Sequence, residues 1–219
     1  MADINEIKEL ARKLNLMNIA SGAIDISNEV VSNTDYLYEI LSKEIDIRHS
    51  NKLKEIEHDA RLPKKSFEHE RITKGLELEL SKINDFDFKN SKTNILIVGD
   101  CCTGKTSIAV EIAKHAIEKE ARVVYETIEN LLFIVKAKKR RWSHILKADL
   151  IILDELFYLT PTEEELLQIY KLLIFLGETR SLILITNRDL SKWNDMNLDQ
   201  HLIETLKQRL VHDVHLIHV

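Results

Sequence analysis

Three places in the chain carry residue types suited to work on a phosphoanhydride. Gly99, Asp100, Cys101, Cys102, Thr103, Gly104, Lys105 and Thr106 fit the pattern Gly-x-x-x-x-Gly-Lys-[Ser/Thr]. In that spacing successive backbone N–H groups and the positive end of the following helix surround a β-phosphate. Lys105 then reaches the β- and γ-phosphates, and the Thr106 hydroxyl is a ligand for Mg²⁺. The second place is Leu150-Ile151-Ile152-Leu153-Asp154-Glu155, an apolar run closed by two carboxylates. Asp154 is expected to hold Mg²⁺ through its water shell, and Glu155 to orient and deprotonate the water that attacks the γ-phosphate. The third is Asn187, which closes the apolar run 182–186 and reads as a γ-phosphate sensor. ATP with Mg²⁺ is the expected ligand. Cys101 and Cys102 fill variable positions of the pattern, and neighbouring cysteines rarely reach disulfide geometry with each other.

That chemistry requires the three places to meet at the carboxyl edge of a parallel sheet. From residue 93 the pattern supplies one: apolar runs at 94–98, 122–125, 150–153, 182–186 and 214–219 alternate with helical periodicity over 105–119, 129–139, 162–176 and 201–210. Strands alternating with helices predict an α/β fold, a parallel sheet flanked by helices on both faces. Thr162 with Glu165 forms a capping box for the third of these helices, and Gly177 is expected to end it. The first 70 residues contain no strand pattern. Ile4, Ile7, Leu10, Ala11 and Leu14 mark a helix stopping near 18–22, and Asn33 or Thr34 caps a long one reaching Pro63. The expected organisation is a small all-helical N-terminal domain over 1–70, a linker over 71–92 and an ATP-binding domain over 93–219.

Composition narrows the partners. Lys+Arg 31 against Asp+Glu 36 gives a net charge of −5 over 219 residues, so a histone-like bulk field is excluded and any nucleic-acid contact needs a local basic patch. Lys136, Lys138, Lys139, Arg140 and Arg141, with Trp142 beside them, form such a patch. A solvated helix end, where cations favour the dipole, explains the same residues nearly as well. No apolar run approaches the ~20 residues of a spanning helix, and the start MADINEIKEL lacks the regions of a signal peptide, so a cytoplasmic location off the membrane is expected. Two adjacent cysteines build neither a disulfide framework nor a zinc site. His212, His215 and His218 alternate faces on a strand and do not converge on a metal.

The three motifs in this order resemble an AAA+ ATPase, and more specifically the IstB-like transposition helper ATPases, relatives of the DnaC-like helicase loaders. LIILDELFYL is similar to the family's acidic strand, SLILITNRDLSKW to its sensor strand, LDQHLIETLKQRLVHDVHLIHV to its closing helix and strand, and LNLMNIASGAID with YLYEILSKEIDIRHSNKL to its helical leader. The resemblance implies a P-loop NTPase fold of AAA+ type and makes Arg209 an arginine finger inserted into the neighbouring subunit's nucleotide, hence an ATP-dependent homo-oligomer. It also decides the basic cluster as a DNA contact lining the assembly. The implied function is an ATP-dependent DNA-binding accessory ATPase of DNA transposition, on duplex DNA with a transposase. The alternative is a replicative helicase loader on single-stranded DNA, and a third reading is a nucleotide-dependent interaction module without turnover. The chain departs from the family at Cys102, where a Gly is usual.

Overall fold

The computed structural model describes residues 4–24, 33–65, 74–196, 198–211 and 214–219, and the chain divides into two compact units, Met1–Glu55 and Ile56–Val219. In the first unit, α1 (Ile4–Lys13) and α2 (Met17–Ser21) precede α3 (Asn33–Ala60), which continues into the second. The single helix expected up to 18–22 is broken because Asn15 adopts φ 56°, a left-handed conformation that Asn tolerates better than most residues. The Leu16 N–H returns to the Ala11 carbonyl at 2.8 Å and closes the end of α1. On α3, buried Glu44 accepts from Arg48 Nε at 2.8 Å, and the same guanidinium donates to the Asn15 carbonyl.

The second unit is built on five parallel strands, β1 (Asn94–Val98), β2 (Val123–Thr127), β3 (Leu150–Asp154), β4 (Ser181–Thr186) and β5 (Val214–His218), in the order β2-β3-β4-β1-β5. Helices α4 (Lys74–Asn84), α5 (Lys105–Glu118), α6 (Ile128–Lys136), α7 (Arg141–Lys147), α8 (Glu163–Thr179) and α9 (Gln200–Val211) surround it, with a 3-10 helix at Leu190–Asp195. Leu96, Val124, Ile151, Leu153 and Leu184 pack in one core with α6 to α9. On the opposite face α5 buries Ile108, Ala109, Ile112, Ala113 and Ala116. Cover on both faces is why the central strands read as unbroken apolar runs rather than alternating ones. Trp193 is fully buried, edge-on to Phe157 at 4.7 Å, and its indole donates to the Arg188 carbonyl at 3.1 Å. Among the described residues no helix is long and apolar enough to cross a membrane.

Three local features depart from the sequence expectation. The stretch 71–92, read as linker, contains α4, whose Leu80 and Ile83 are buried, and α4 packs on α5. The helix expected over 129–139 ends at Lys136, because Lys138 turns left-handed at φ 49°, and α7 is a separate helix. Gly177 does not end α8, which runs on to Thr179. A Cβ at Gly177 would stand 3.4 Å from Leu182 Cδ1, an ordinary contact, so the packing of α8 on β4 has room for a side chain there. The capping box is formed, with Thr162 Oγ1 accepting from Glu165 N and Glu165 accepting from Thr162 N.

Candidate nucleotide site and basic turn

The chain leaves β1 towards β2 and β3 and later returns to place β4 at its side, so the strand order reverses between β1 and β4. The crevice outside their carboxyl ends is where an open α/β sheet binds its ligand. The loop 99–104 lies there. Gly104, at φ 94°, opens α5, and Cys102 takes φ 64° two residues before it. Left-handed residues in such a turn build the backbone concavity that receives an anion. Glycine adopts that conformation freely whereas a side chain at 102 holds it under strain. Lys105 is largely buried and its Nζ donates to the Asp100 carbonyl, so the amine is folded against the loop it serves.

Asp154 closes β3 opposite this loop and is buried. Its Oδ2 accepts from Thr106 Oγ1 at 2.8 Å and from Tyr125 Oη at 2.8 Å, and its Oδ1 accepts from the Glu155 N–H at 2.7 Å. A hydroxyl and a carboxylate in contact, both hard oxygen donors, fit a magnesium ion. Burial first, then the hydrogen bond to Asp154 and the charges of Asp154, Glu155 and Glu126, push the Tyr125 phenol above its ordinary range, so it stays protonated and donates. Glu155 follows in a left-handed conformation, φ 62°, with its side chain exposed. Such a backbone at a non-glycine is strained, and strain of this kind gathers at functional sites. Asn187 is brought to the loop: its Nδ2 donates to Cys101 Sγ at 3.7 Å, while its buried Oδ1 has no partner among the described residues. Thus Thr106, at the start of α5, touches Asp154 at the end of β3, Asn187 after β4 reaches Cys101 of the loop, and Glu155 follows Asp154 in the chain.

The basic cluster starts at the end of α6 with Lys136 and runs through the turn into α7. Lys136 at the helix end and Lys138, Lys139 and Arg140 on the turn are exposed, with Lys139 Nζ 4.0 Å from the centre of the exposed Phe133 ring. Arg141, expected to join them, does not. It is buried, pairs with buried Glu126 through Nε at 2.7 Å, and donates from Nη1 to the Asp59 carbonyl at 2.6 Å. Asn130 also donates to Glu126. Arg141 therefore anchors the turn to β2 and the end of α3. Trp142 packs on the core beside it. Arg209, on α9, is 52% exposed and meets Glu178 at 3.1 Å. It shares a groove with Lys92, Asn94, Leu182 and Val214, at the starts of β1, β4 and β5, and so stands at the opposite end of the sheet from the phosphate loop.

Residues 9–219 match the family model described as IstB-like ATP binding protein. The chain belongs to the IstB-like ATP-binding protein family. It is 26% identical over 221 residues to an insertion sequence IS21-like putative ATP-binding protein of Bacteroides fragilis, covering 94% of this chain and 84% of that one. An insertion sequence IS232 putative ATP-binding protein of Bacillus thuringiensis subsp. berliner is also 26% identical, over 94% of this chain and 85% of the relative. Among solved structures, that of the DnaC helicase loader superposes with TM-score 0.57 at 19% identity, over 74% of this chain and 97% of that one, which places the fold among the P-loop NTPases. This IstB-like chain is accordingly an ATPase of the P-loop class. Two of its site-side residues escape sequence reading. Tyr125 ends the apolar run 122–125 and Glu126 follows it, and only the pairing of β2 with β3 brings the first to Asp154.

Proposed function

We propose that this ATPase assembles on duplex DNA in an ATP-dependent manner and serves as an accessory ATPase of DNA transposition, its N-terminal helices engaging the DNA or a transposase. The observation that carries this is the pairing, on one sheet, of the Thr106–Asp154 contact at the phosphate loop with a turn of exposed cations anchored by Arg141. Thr106 and Asp154 hold Mg²⁺, which when bound offsets charge on the phosphate oxygens. The loop 99–106 grips the β-phosphate with its amides, and Lys105 adds a positive charge at the β- and γ-phosphates. Glu155 orients the attacking water and takes its proton, and Asn187 donates to the γ-phosphate. Arg209, too far along the sheet to serve its own subunit, neutralises charge at the next subunit's nucleotide, which makes turnover depend on assembly. The four exposed cations of the basic turn contact DNA phosphates irrespective of sequence.

The test joins binding to assembly. Duplex affinity is measured against salt for the wild type and for a variant with Lys138, Lys139 and Arg140 changed to Gln, with ATP present. Neutralising these three side chains reduces the log–log salt slope by roughly 0.9 for each phosphate they would otherwise pair with. Glu155→Gln traps ATP-dependent assemblies on duplex, while Arg209→Ala binds nucleotide and fails to turn it over. An unchanged affinity and slope in the triple variant rejects the DNA surface. Preference for single-stranded DNA together with capture of a replicative helicase, not a transposase, replaces the transposition role with helicase loading.

A further inference from the structure

We infer that Tyr125 is a positioning residue of the metal site: its hydroxyl fixes the Asp154 carboxylate, together with Thr106, in the orientation that receives magnesium. The inference rests on the reading of Thr106 and Asp154 as the metal-holding pair and adds a residue that the nucleotide motifs do not contain.

The geometry is specific. β2 and β3 run parallel with Tyr125 opposite Ile152, so Tyr125 lies two residues short of Asp154 on the same face of the sheet. From that register a phenol is long enough to reach the strand end, and it does, donating to Oδ2 at 2.8 Å. A phenylalanine would fill the same space and supply no donor, and a serine or threonine would fall short. Thr106 approaches the same oxygen from the start of α5, also at 2.8 Å, and the Glu155 amide takes Oδ1 at 2.7 Å. A carboxylate offers about four acceptor sites, so three donors leave it one open direction. The free aspartate side chain has a broad χ2, and a carboxylate pinned at both oxygens has already given up that freedom before any ion arrives. Tyr125 and Thr106 come from different elements, β2 and α5, so between them they hold Asp154 against rotation in a way neither does alone.

The experiment is a magnesium titration of nucleotide binding, read by fluorescence of a non-hydrolysable ATP analogue, for the wild type and Tyr125→Phe. Loss of an outer-shell partner weakens metal affinity by 10- to 100-fold in comparable sites, and the half-saturating magnesium concentration is expected to rise by about tenfold here. Nucleotide affinity in chelator stays at the wild-type value, since the phosphate loop is untouched, and this together with a cooperative melting transition lowered by only a few degrees shows that the variant is folded. In turnover at saturating magnesium the variant recovers most of the wild-type kcat, because the missing hydroxyl touches neither substrate nor attacking water. A half-saturating magnesium concentration within twofold of wild type overturns the assignment of Tyr125, as does a kcat that magnesium fails to restore. A wild type whose nucleotide affinity ignores magnesium refutes the metal site itself, and with it this inference.

Discussion

Replacing Arg141 by Met separates a structural cation from its four exposed neighbours. The Arg141 side chain is 8% exposed and that of Glu126 5%, their contact is 2.7 Å, and a second nitrogen of Arg141 holds the Asp59 carbonyl at 2.6 Å. Removing one partner leaves the Glu126 carboxylate buried with Asn130 as its remaining side-chain donor among the described residues. Breaking a buried pair from one side costs about 3–5 kcal/mol, most of it the penalty of the stranded charge. For a domain of this size each kcal/mol moves Tm by roughly 2–4 °C, so Arg141→Met should melt about 6–20 °C below wild type. Glu126→Leu combined with Arg141→Met strands no charge and should restore most of that stability, as apolar replacement of both partners often does. Urea unfolding followed by circular dichroism gives the three stabilities. At a temperature where all are folded, Arg141→Met keeps the salt slope of DNA binding, whereas Lys139→Gln reduces it. A Tm within about 2 °C of wild type for Arg141→Met, or a salt slope that falls with it, refutes the anchoring role.

Two further outcomes follow from local geometry. Cys102→Gly removes a side chain from a left-handed residue, φ 64°; relief of about 1–2 kcal/mol, less the extra chain entropy of Gly, leaves a net gain of roughly 0.5–1 kcal/mol, visible as a higher Tm, while Cys102→Ala gains nothing. A lower melting point for the Gly variant counts against strain in the loop. Asp149 is partly buried, which raises its pKa, but the side-chain and backbone hydrogen bonds from Arg122 outweigh this and hold the carboxyl below its ordinary range. A depressed folded pKa contributes stability that is present above the ordinary carboxylate value and lost as pH falls through the folded one. Acid titration of Tm should therefore fall less steeply below the ordinary carboxylate range for Asp149→Asn than for wild type, and parallel curves would contradict the assignment.

Much of the nucleotide site was legible because its residues sit at strand ends fixed by pattern. The apolar runs 94–98, 150–153 and 182–186 end where the structure ends β1, β3 and β4, within a residue, and so Asp154 and Asn187 arrive at the phosphate loop. What stayed hidden depends on neighbours in space. Arg141 reads as one of a run of surface cations, and nothing local distinguishes it; its burial comes from Glu126, fifteen residues earlier, and from the end of α3. Gly177 reads as a helix stop, yet α8 carries on through it to Thr179. Tyr125 reads as a strand aromatic until β2 is set in register with β3. Helix α4 escaped because its charges mask the few apolar positions, Leu80 and Ile83, that bury it.

Gly99 bears on how the motif's first letter should be understood. A Cβ there would fall 2.1 Å from the Val219 carbonyl, whose residue is tied to β1 through its N–H to the Val98 carbonyl at 2.9 Å. The absence of a side chain at this corner is thus demanded by the strand beside it, with or without a triphosphate in place. Alanine at 99 would wedge β5 away from β1, and the damage would register in an empty protein as a loosened sheet edge, long before any question of catalysis arose.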